Sequence, residues 1–369
     1  MDDLGSQEQA VLDLISANPF VGQQEIATPL GLARSTVAAH IVQLVNKGYI
    51  LGRGYVLPTP RRMVCIGGAV LDRKYHARKP LVWETSNPVH GHRSFGGVAR
   101  NVAENLVRLG VELSFISIVG DDTTGRDLVR HLRDLGADVS QVITTTERPT
   151  AEYAAILDPA NDLALGIADM DVFDLLTPAH LDRFWPHLAA ANWIFIDCNM
   201  PAATIEALIA RKQSARYKLA LDTVSTPKSA RLPRDLSGID LIFSNHDEAS
   251  AILGATEPSS RPSLKEAAVA LCRAGAREAI VTRGAQGYAV ASGDEVVEMP
   301  AVPAQPLDMT GAGDAMIAGT LYRLLGGSSL RAAAQTGALL ATLTTESASS
   351  VHPELSPRFL AAGEHRIPS

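Results

Sequence analysis

The sequence predicts an α/β protein: a mainly parallel sheet covered by helices on both faces, with a smaller β-element, preceded by a small helical module. Three observations predict it. From residue 62 onward, short runs of β-formers alternate with amphipathic helical segments, the pattern of a doubly covered sheet that binds ligands at the carboxyl ends of its strands. The stretches 72–94 and 150–168 break this rhythm, being rich in β-formers without helical periodicity. They are expected to form a smaller β-element of their own. Finally, Pro58 and Pro60 form a stiff, extended connector, which divides the chain into a module 1–57, a linker 58–61 and a domain 62–369.

In the first module, 6–17 reads as a helix, 22–31 as a short helix and turn, 35–47 as a longer helix, and 49–57 as a glycine-broken hairpin. Helix–helix–helix–wing is the order of a winged helix-turn-helix. The succession Gln23-Gln24-Glu25-Ile26-Ala27, Gly31-Leu32-Ala33, Ser35-Thr36-Val37 resembles bacterial DNA-binding examples. In that reading Ser35 caps the recognition helix, Arg34, Thr36, His40 and Gln43 face the major groove, and Arg53 in the wing touches phosphate. Residues 1–60 hold only Arg34, Lys47 and Arg53 against five acids. Such a surface releases few counterions, so DNA affinity would require two copies; a dimerisation or protein-contact role is the alternative.

In the larger domain, strands are expected at 63–67, 113–119, 193–197, 217–221, 240–243 and 279–281, with helices between several of them. The chemistry concentrates at Asp308-Met309-Thr310-Gly311-Ala312-Gly313-Asp314. A Gly-Ala-Gly run at a helix start leaves backbone N–H groups unpaired where the helix dipole favours negative charge, which makes an anion cradle. A carboxylate beside it would repel a statically bound phosphate. Asp314 makes sense there as a base that takes the proton from an attacking hydroxyl, and this is phosphoryl transfer to an alcohol. Upstream, Phe95-Gly96-Gly97-Val98-Ala99-Arg100-Asn101 again sets paired glycines before an amphipathic helix. Gly96 and Gly97 permit close approach of a ligand, and Asn101 offers a donor and an acceptor to hydroxyls.

The two motifs, in this order and about 210 residues apart, resemble the ribokinase (PfkB) family of carbohydrate and nucleoside kinases, from about residue 62 to the C-terminus. The resemblance implies ATP and Mg²⁺, and a small β-lid formed by 72–94 and 150–168 that folds over the sugar. Asn245-His246-Asp247-Glu248 matches the family's N-x-x-E, making Asn245 and Glu248 candidates near the metal, Glu248 acting through water. Thr282, Gly284 and Gly287 would lie under the nucleotide phosphates, with adenine near 282–287 and 336–350. Asp308 and Thr310 match positions that in many relatives help hold a monovalent cation, such as K⁺, beside the anion hole.

On the acceptor side, Asp72, Gly96, Gly97 and Asn101 suit a ribose-type diol. Several details resemble the pseudouridine kinase branch: Gly-Gly-Val-Ala-Arg-Asn at 96–101, Thr150-Ala151-Glu152-Tyr153, Ala168-Asp169-Met170-Asp171, Asp197-Cys198-Asn199, and Asp222-Thr223-Val224-Ser225 before Lys228. Asp169 and Asn199 would meet the base. The 5′-hydroxyl of pseudouridine is therefore the expected acceptor, with ribose, fructose or inosine as alternatives. A transcription regulator that only senses a nucleoside is the alternative of another class, and Asp314 argues against it.

The remaining sequence properties agree. No G-x-x-x-x-G-K-[ST] occurs, and no G-x-G-x-x-G sits between a strand and a helix, which removes P-loop and Rossmann readings. With 46% hydrophobic and 20% charged residues, the 369-residue chain can bury a large core. Its net charge of −7 speaks against a surface coated by nucleic acid. Cys65, Cys198 and Cys272 show no metal or CxxC spacing, as in a cytoplasmic protein. No signal peptide or membrane span is expected, because the first thirty residues are acidic without an apolar run and nowhere do 18 apolar residues run together. A homodimer is the expected assembly.

Overall fold

The computed structural model describes residues 4–51, 62–212, 215–255 and 257–368. The chain begins with α1 (Ser6–Ala17), α2 (Gln23–Leu30) and α3 (Arg34–Asn46). Their apolar faces close a small core of Val11, Ile15, Ile26, Val37, Ile41, Leu44 and Ile50. Most of the expected wing, with Arg53, lies outside the described residues, as does the 58–61 linker. Helix α3 starts one residue earlier than expected. Its N-cap is Ala33, with no side-chain cap, so Ser35 lies inside the first turn.

The larger domain runs β1 (Met63–Ile66), β2 (Val70–Ala77), β3 (Val89–Gly96), α4 (Val98–Arg108), β4 (Leu113–Ile116), β5 (Ile118–Gly120), α5 (Thr123–Asp134), β6 (Ile143–Thr145), β7 (Glu152–Leu157), β8 (Leu163–Asp169), α6 (Pro178–Ala189) and β9 (Trp193–Asp197). It continues with α7 (Ala202–Arg211), β10 (Lys218–Asp222), α8 (Thr226–Ser229), β11 (Leu241–Asn245), α9 (His246–Ile252), α10 (Leu264–Arg273), β12 (Glu278–Thr282), β13 (Tyr288–Ser292), β14 (Glu295–Met299), α11 (Ala312–Leu325), α12 (Leu330–Thr345) and α13 (Pro357–Gly363).

An eight-stranded sheet has the order β14-β13-β12-β11-β10-β9-β1-β4, parallel from β4 to β12 and antiparallel at β13 and β14. Alternate residues of a strand feed opposite layers: Met63 and Cys65 join the core on one face, Val64 and Ile66 the core on the other. The carboxyl ends of β1, β9, β10, β11 and β12 therefore open on one edge. Over that edge lies the lid, a four-stranded sheet of order β3-β2-β7-β8, built from the two stretches that lack helical periodicity.

The expected strand 113–119 is in fact two. β4 belongs to the main sheet, while β5 pairs with β6. The chain leaves the sheet at buried Ser117, whose hydroxyl donates to the Gly67 carbonyl at 2.6 Å.

Candidate active site

The two glycine motifs meet at one bond. Asn101, on the first turn of α4, donates from Nδ2 to Asp314 Oδ2 at 2.7 Å across 213 positions of sequence. The amide is oriented from behind, because the buried Arg100 guanidinium donates to Asn101 Oδ1 at 2.9 Å and to the Phe95 carbonyl at 3.1 Å, and pairs with Glu104. Its nitrogen therefore faces the acid.

Asp314 lies in the first turn of α11, where burial pushes its carboxyl up to about 7; the Asn101 bond opposes the rise, and the charges of Asp197 and Asp72 add to it. A carboxyl near 7 is matched to proton abstraction at neutral pH. Gly311 caps this helix with φ 82° and is closed in by backbone: a Cβ there would fall 2.0 Å from the Ser350 carbonyl oxygen. A Cβ on Gly313 would meet nothing within 4 Å. The cradle is thus rigid at its base and open at Gly313, which lines two cavities.

The larger cavity, about 450 Å³, is walled by Thr282, Gly284, Gly287, Tyr288, Ala341 and Thr345, so the structure brings together both segments expected at the nucleotide. Met309, exposed in the cradle motif, also lines it. The smaller, about 180 Å³, is lined by Asp222, Asn245, Glu248, Gly313 and Asp314. Asn245 and Glu248 form a reciprocal cap on α9: Asn245 Oδ1 accepts from Glu248 N at 2.9 Å, and Glu248 Oε2 accepts from Asn245 N at 3.0 Å. Glu248 Oε2 also accepts from the Thr223 hydroxyl at 2.6 Å. The capped pair still lines the cavity.

Asp222 in this cavity was not among the sequence candidates. Burial, and then the Glu248 charge, push its carboxyl well above the usual range. Its signal was positional, since it ends β10 at the ligand-facing edge. Beside it Val224 holds φ 64°, a conformation that costs a β-branched residue about 1–3 kcal/mol and gathers at functional sites. Among the described residues no three of His, Cys, Asp or Glu are grouped to hold one ion. One or two hard carboxylates, with waters and phosphates completing the shell, fit Mg²⁺.

On the acceptor side, Asp72 of β2 lies against Gly96, where a Cβ would fall 1.8 Å from its Oδ2. Burial pushes its carboxyl to about 6. Gly97, at φ 96°, packs on the Gly68 carbonyl, where a Cβ would fall 2.4 Å from the oxygen. Asp197, buried at the end of β9, accepts from the backbone N–H groups of Gly68, Ala99 and Asn199 at 2.9–3.0 Å, tying β1, α4 and the Asn199 turn together. Asn199 is buried and its Oδ1 accepts from the Lys228 ammonium. That ammonium also touches Met170 Sδ at 3.0 Å. Asp169 itself is exposed at the end of β8; its neighbour Met170 makes the inward contact.

Asp308 and Thr310 are engaged by a residue the sequence reading passed over. Lys74 of β2 donates to Asp308 Oδ2 at 2.5 Å and to Thr310 Oγ1 at 2.8 Å. Asp308 Oδ1 accepts from the N–H and hydroxyl of Thr310 at 2.9 and 2.6 Å. Both carboxylate oxygens thus already accept from protein donors.

In the small module, Arg34 and Gln43 are exposed on α3 and Thr36 is half-buried. His40 turns toward α1, its Nε2 lying 3.2 Å from Gln7 Oε1, so it is drawn off the outward face. The end of α3 docks on the larger domain: Trp185 Nε1–H donates to the Asn46 carbonyl at 3.1 Å, and the Arg216 guanidinium stacks 3.5 Å over the Tyr49 ring.

Comparison with known proteins agrees with this geometry. The pfkB family carbohydrate kinase model matches residues 60–356, and a winged helix-turn-helix DNA-binding model matches residues 6–50. The chain is 30% identical over 354 residues to an uncharacterized sugar kinase, YeiI, of Escherichia coli (strain K12), covering 96% of this chain and 97% of that one. It is 27% identical over 259 residues to the pseudouridine kinase of the same organism, covering 70% and 82%. A solved carbohydrate kinase from Agrobacterium tumefaciens superposes with a TM-score of 0.74 at 31% identity, over 84% of this chain and 98% of that one.

Proposed function

The chain belongs to the pfkB family of carbohydrate kinases, and from that membership we propose that it transfers the γ-phosphoryl group of ATP to the 5′-hydroxyl of pseudouridine. The Asn101–Asp314 bond carries the mechanistic reading, since it joins the acceptor motif to the carboxylate at the anion cradle. Asp72 and Asn101 hold the ribose hydroxyls, with Gly96 and Gly97 giving the sugar room. Asp314 takes the hydroxyl proton as the oxygen attacks the γ-phosphorus. The bond to the β-phosphate oxygen breaks and ADP leaves, while the N–H groups of Gly311, Ala312 and Gly313 face the developing charge. Glu248 through water, and Asp222, with Asn245 beside them, would hold Mg²⁺, which neutralises phosphate charge when bound. Thr282, Gly284 and Gly287 line the nucleotide side.

Two observations support a pyrimidine nucleoside. One relative is named a pseudouridine kinase, and Lys228, partly buried with Asn199 and Met170 against its ammonium, forms a hydrogen-bonding group close to the acceptor motif. In a panel of pseudouridine, uridine, ribose, fructose and inosine, measured by ADP formation, pseudouridine is expected to give the highest kcat/KM. Ribose should be poor, because it lacks the base that helps position the hydroxyl. A dominant activity on ribose or fructose would overturn the substrate assignment and leave the kinase standing.

We assign 1–57 as a winged helix, 58–61 as linker and 62–369 as the kinase with its lid. A homodimer is also proposed, supported by Leu163, Leu165 and Ile167, which lie exposed at alternate positions of the lid's edge strand. A cytoplasmic location suits the three free cysteines. The small module is proposed to bind DNA through Arg34, Thr36 and Gln43. A chain starting at Pro60 should keep its kinase activity, whereas gel retardation by the full chain should weaken with salt and with Arg34→Ala. Loss of turnover on truncation would make the Trp185 and Arg216 contacts part of the kinase fold.

A further inference from the structure

We propose that Lys74 supplies from the lid the positive charge beside the anion cradle, so that the protein needs no monovalent cation and its cradle is charged only when the lid is seated. The inference rests on the phosphoryl-transfer reading above. Its first support is occupancy: one oxygen of Asp308 holds the Lys74 ammonium at 2.5 Å, the other the N–H and hydroxyl of Thr310. An ion arriving at Asp308 would have to displace an ammonium tethered to the protein, whose local concentration exceeds that of salt in solution. If the ammonium stayed, the two cations would repel at contact distance. Asp308 also ionises readily, since its bonds to Lys74 and Thr310 outweigh burial and hold its carboxyl below the usual range.

The second support is the strand that carries Lys74. Positions 72 and 74 share one face of β2, so the acceptor carboxylate and the cradle's ammonium ride on the same rigid element. Arg73 faces the other way and pairs with Glu152 of β7 at 2.6 Å, fixing the strand's rotation within the lid. Seating β2 over the acceptor therefore brings the ammonium to Asp308 and Thr310, next to Gly311. A soluble ion would lack this link to lid position.

The test measures ADP formation in tetramethylammonium chloride at constant ionic strength while K⁺ is titrated in. In parallel, calorimetry under the same salts gives the affinity for a non-hydrolysable ATP analogue. Wild type is expected to change less than about twofold in either measurement, whereas Lys74→Met should lose roughly tenfold or more, as for a charge-assisted contact, and regain part of it with K⁺ or NH₄⁺. Strong activation of wild type by K⁺ would overturn the proposal, as would a Lys74→Met protein that matches wild type without K⁺ or whose loss no cation restores. If that variant fails to fold, the wild-type series decides alone. Absence of ADP formation with every acceptor would refute the kinase reading instead, and the binding measurement would still decide the role of Lys74.

Discussion

Asp314→Asn is expected to lower turnover by a factor of about 10²–10⁴ while leaving ATP and nucleoside binding nearly unchanged. The amide preserves the shape and the contact to Asn101 but has no basic oxygen for the acceptor proton. The wild-type pH profile should show the same group. Its carboxyl is raised to about 7, so the active, ionised form is lost as pH falls through that value, and kcat/KM should drop about tenfold per unit below it. Asp72, raised to about 6, steepens the fall further down. In Asp314→Asn the upper limb should vanish. Wild-type turnover by the variant, or a wild-type profile flat from pH 5 to 8, would remove Asp314 as the base.

Where one strand or one turn decides an outcome, the sequence is readable. Trp193-Ile194-Phe195-Ile196 is an apolar run with no helical period, and it forms β9 as Trp193–Asp197. The Gly-Ala-Gly-Asp run likewise carries its own geometry, because a helix start after a left-handed glycine is a local event. Outcomes set by partners far along the chain are not readable. The run 113–119 looks like one strand, and only the Gly67 carbonyl, which takes the Ser117 hydroxyl, shows why it splits. His40 reads as an exposed recognition-helix residue until Gln7 is placed beside it. Lys74 carries no signal of its own within the β-rich stretch 72–94, yet the register of β2 on β7 turns Arg73 to Glu152 and leaves Lys74 over Asp308, 234 positions away. The acidic pair Asp222 and Glu248 depends in the same way on the adjacency of β10 and β11. Sequence thus shows which residues carry chemistry in each turn, and sheet order decides which turns share a cavity.

The cradle offers a sharper discrimination between holding the fold and holding the ligand, because its two glycines face different surroundings. Gly311→Ala puts a methyl 2.0 Å from the Ser350 carbonyl at φ 82°. The backbone conformation alone costs about 1–3 kcal/mol, and relieving the clash must move the segment at Ser350 or the start of α11. A melting temperature lower by several degrees and loss of activity are expected together. Gly313→Ala, two residues on, puts the same methyl where nothing beyond its own turn of helix lies within 4 Å, at a position that lines the two cavities. Its position in the first turn of α11 favours alanine over glycine. The melting temperature should therefore hold or rise slightly, while kcat/KM falls by about 10²–10³, the loss typical of disturbing one donor in an anion hole. Differential scanning fluorimetry beside steady-state kinetics separates the two. If Gly313→Ala kept full activity, the phosphoryl group would not lie over Gly313, and the cradle would have to be placed elsewhere on the strand-end edge.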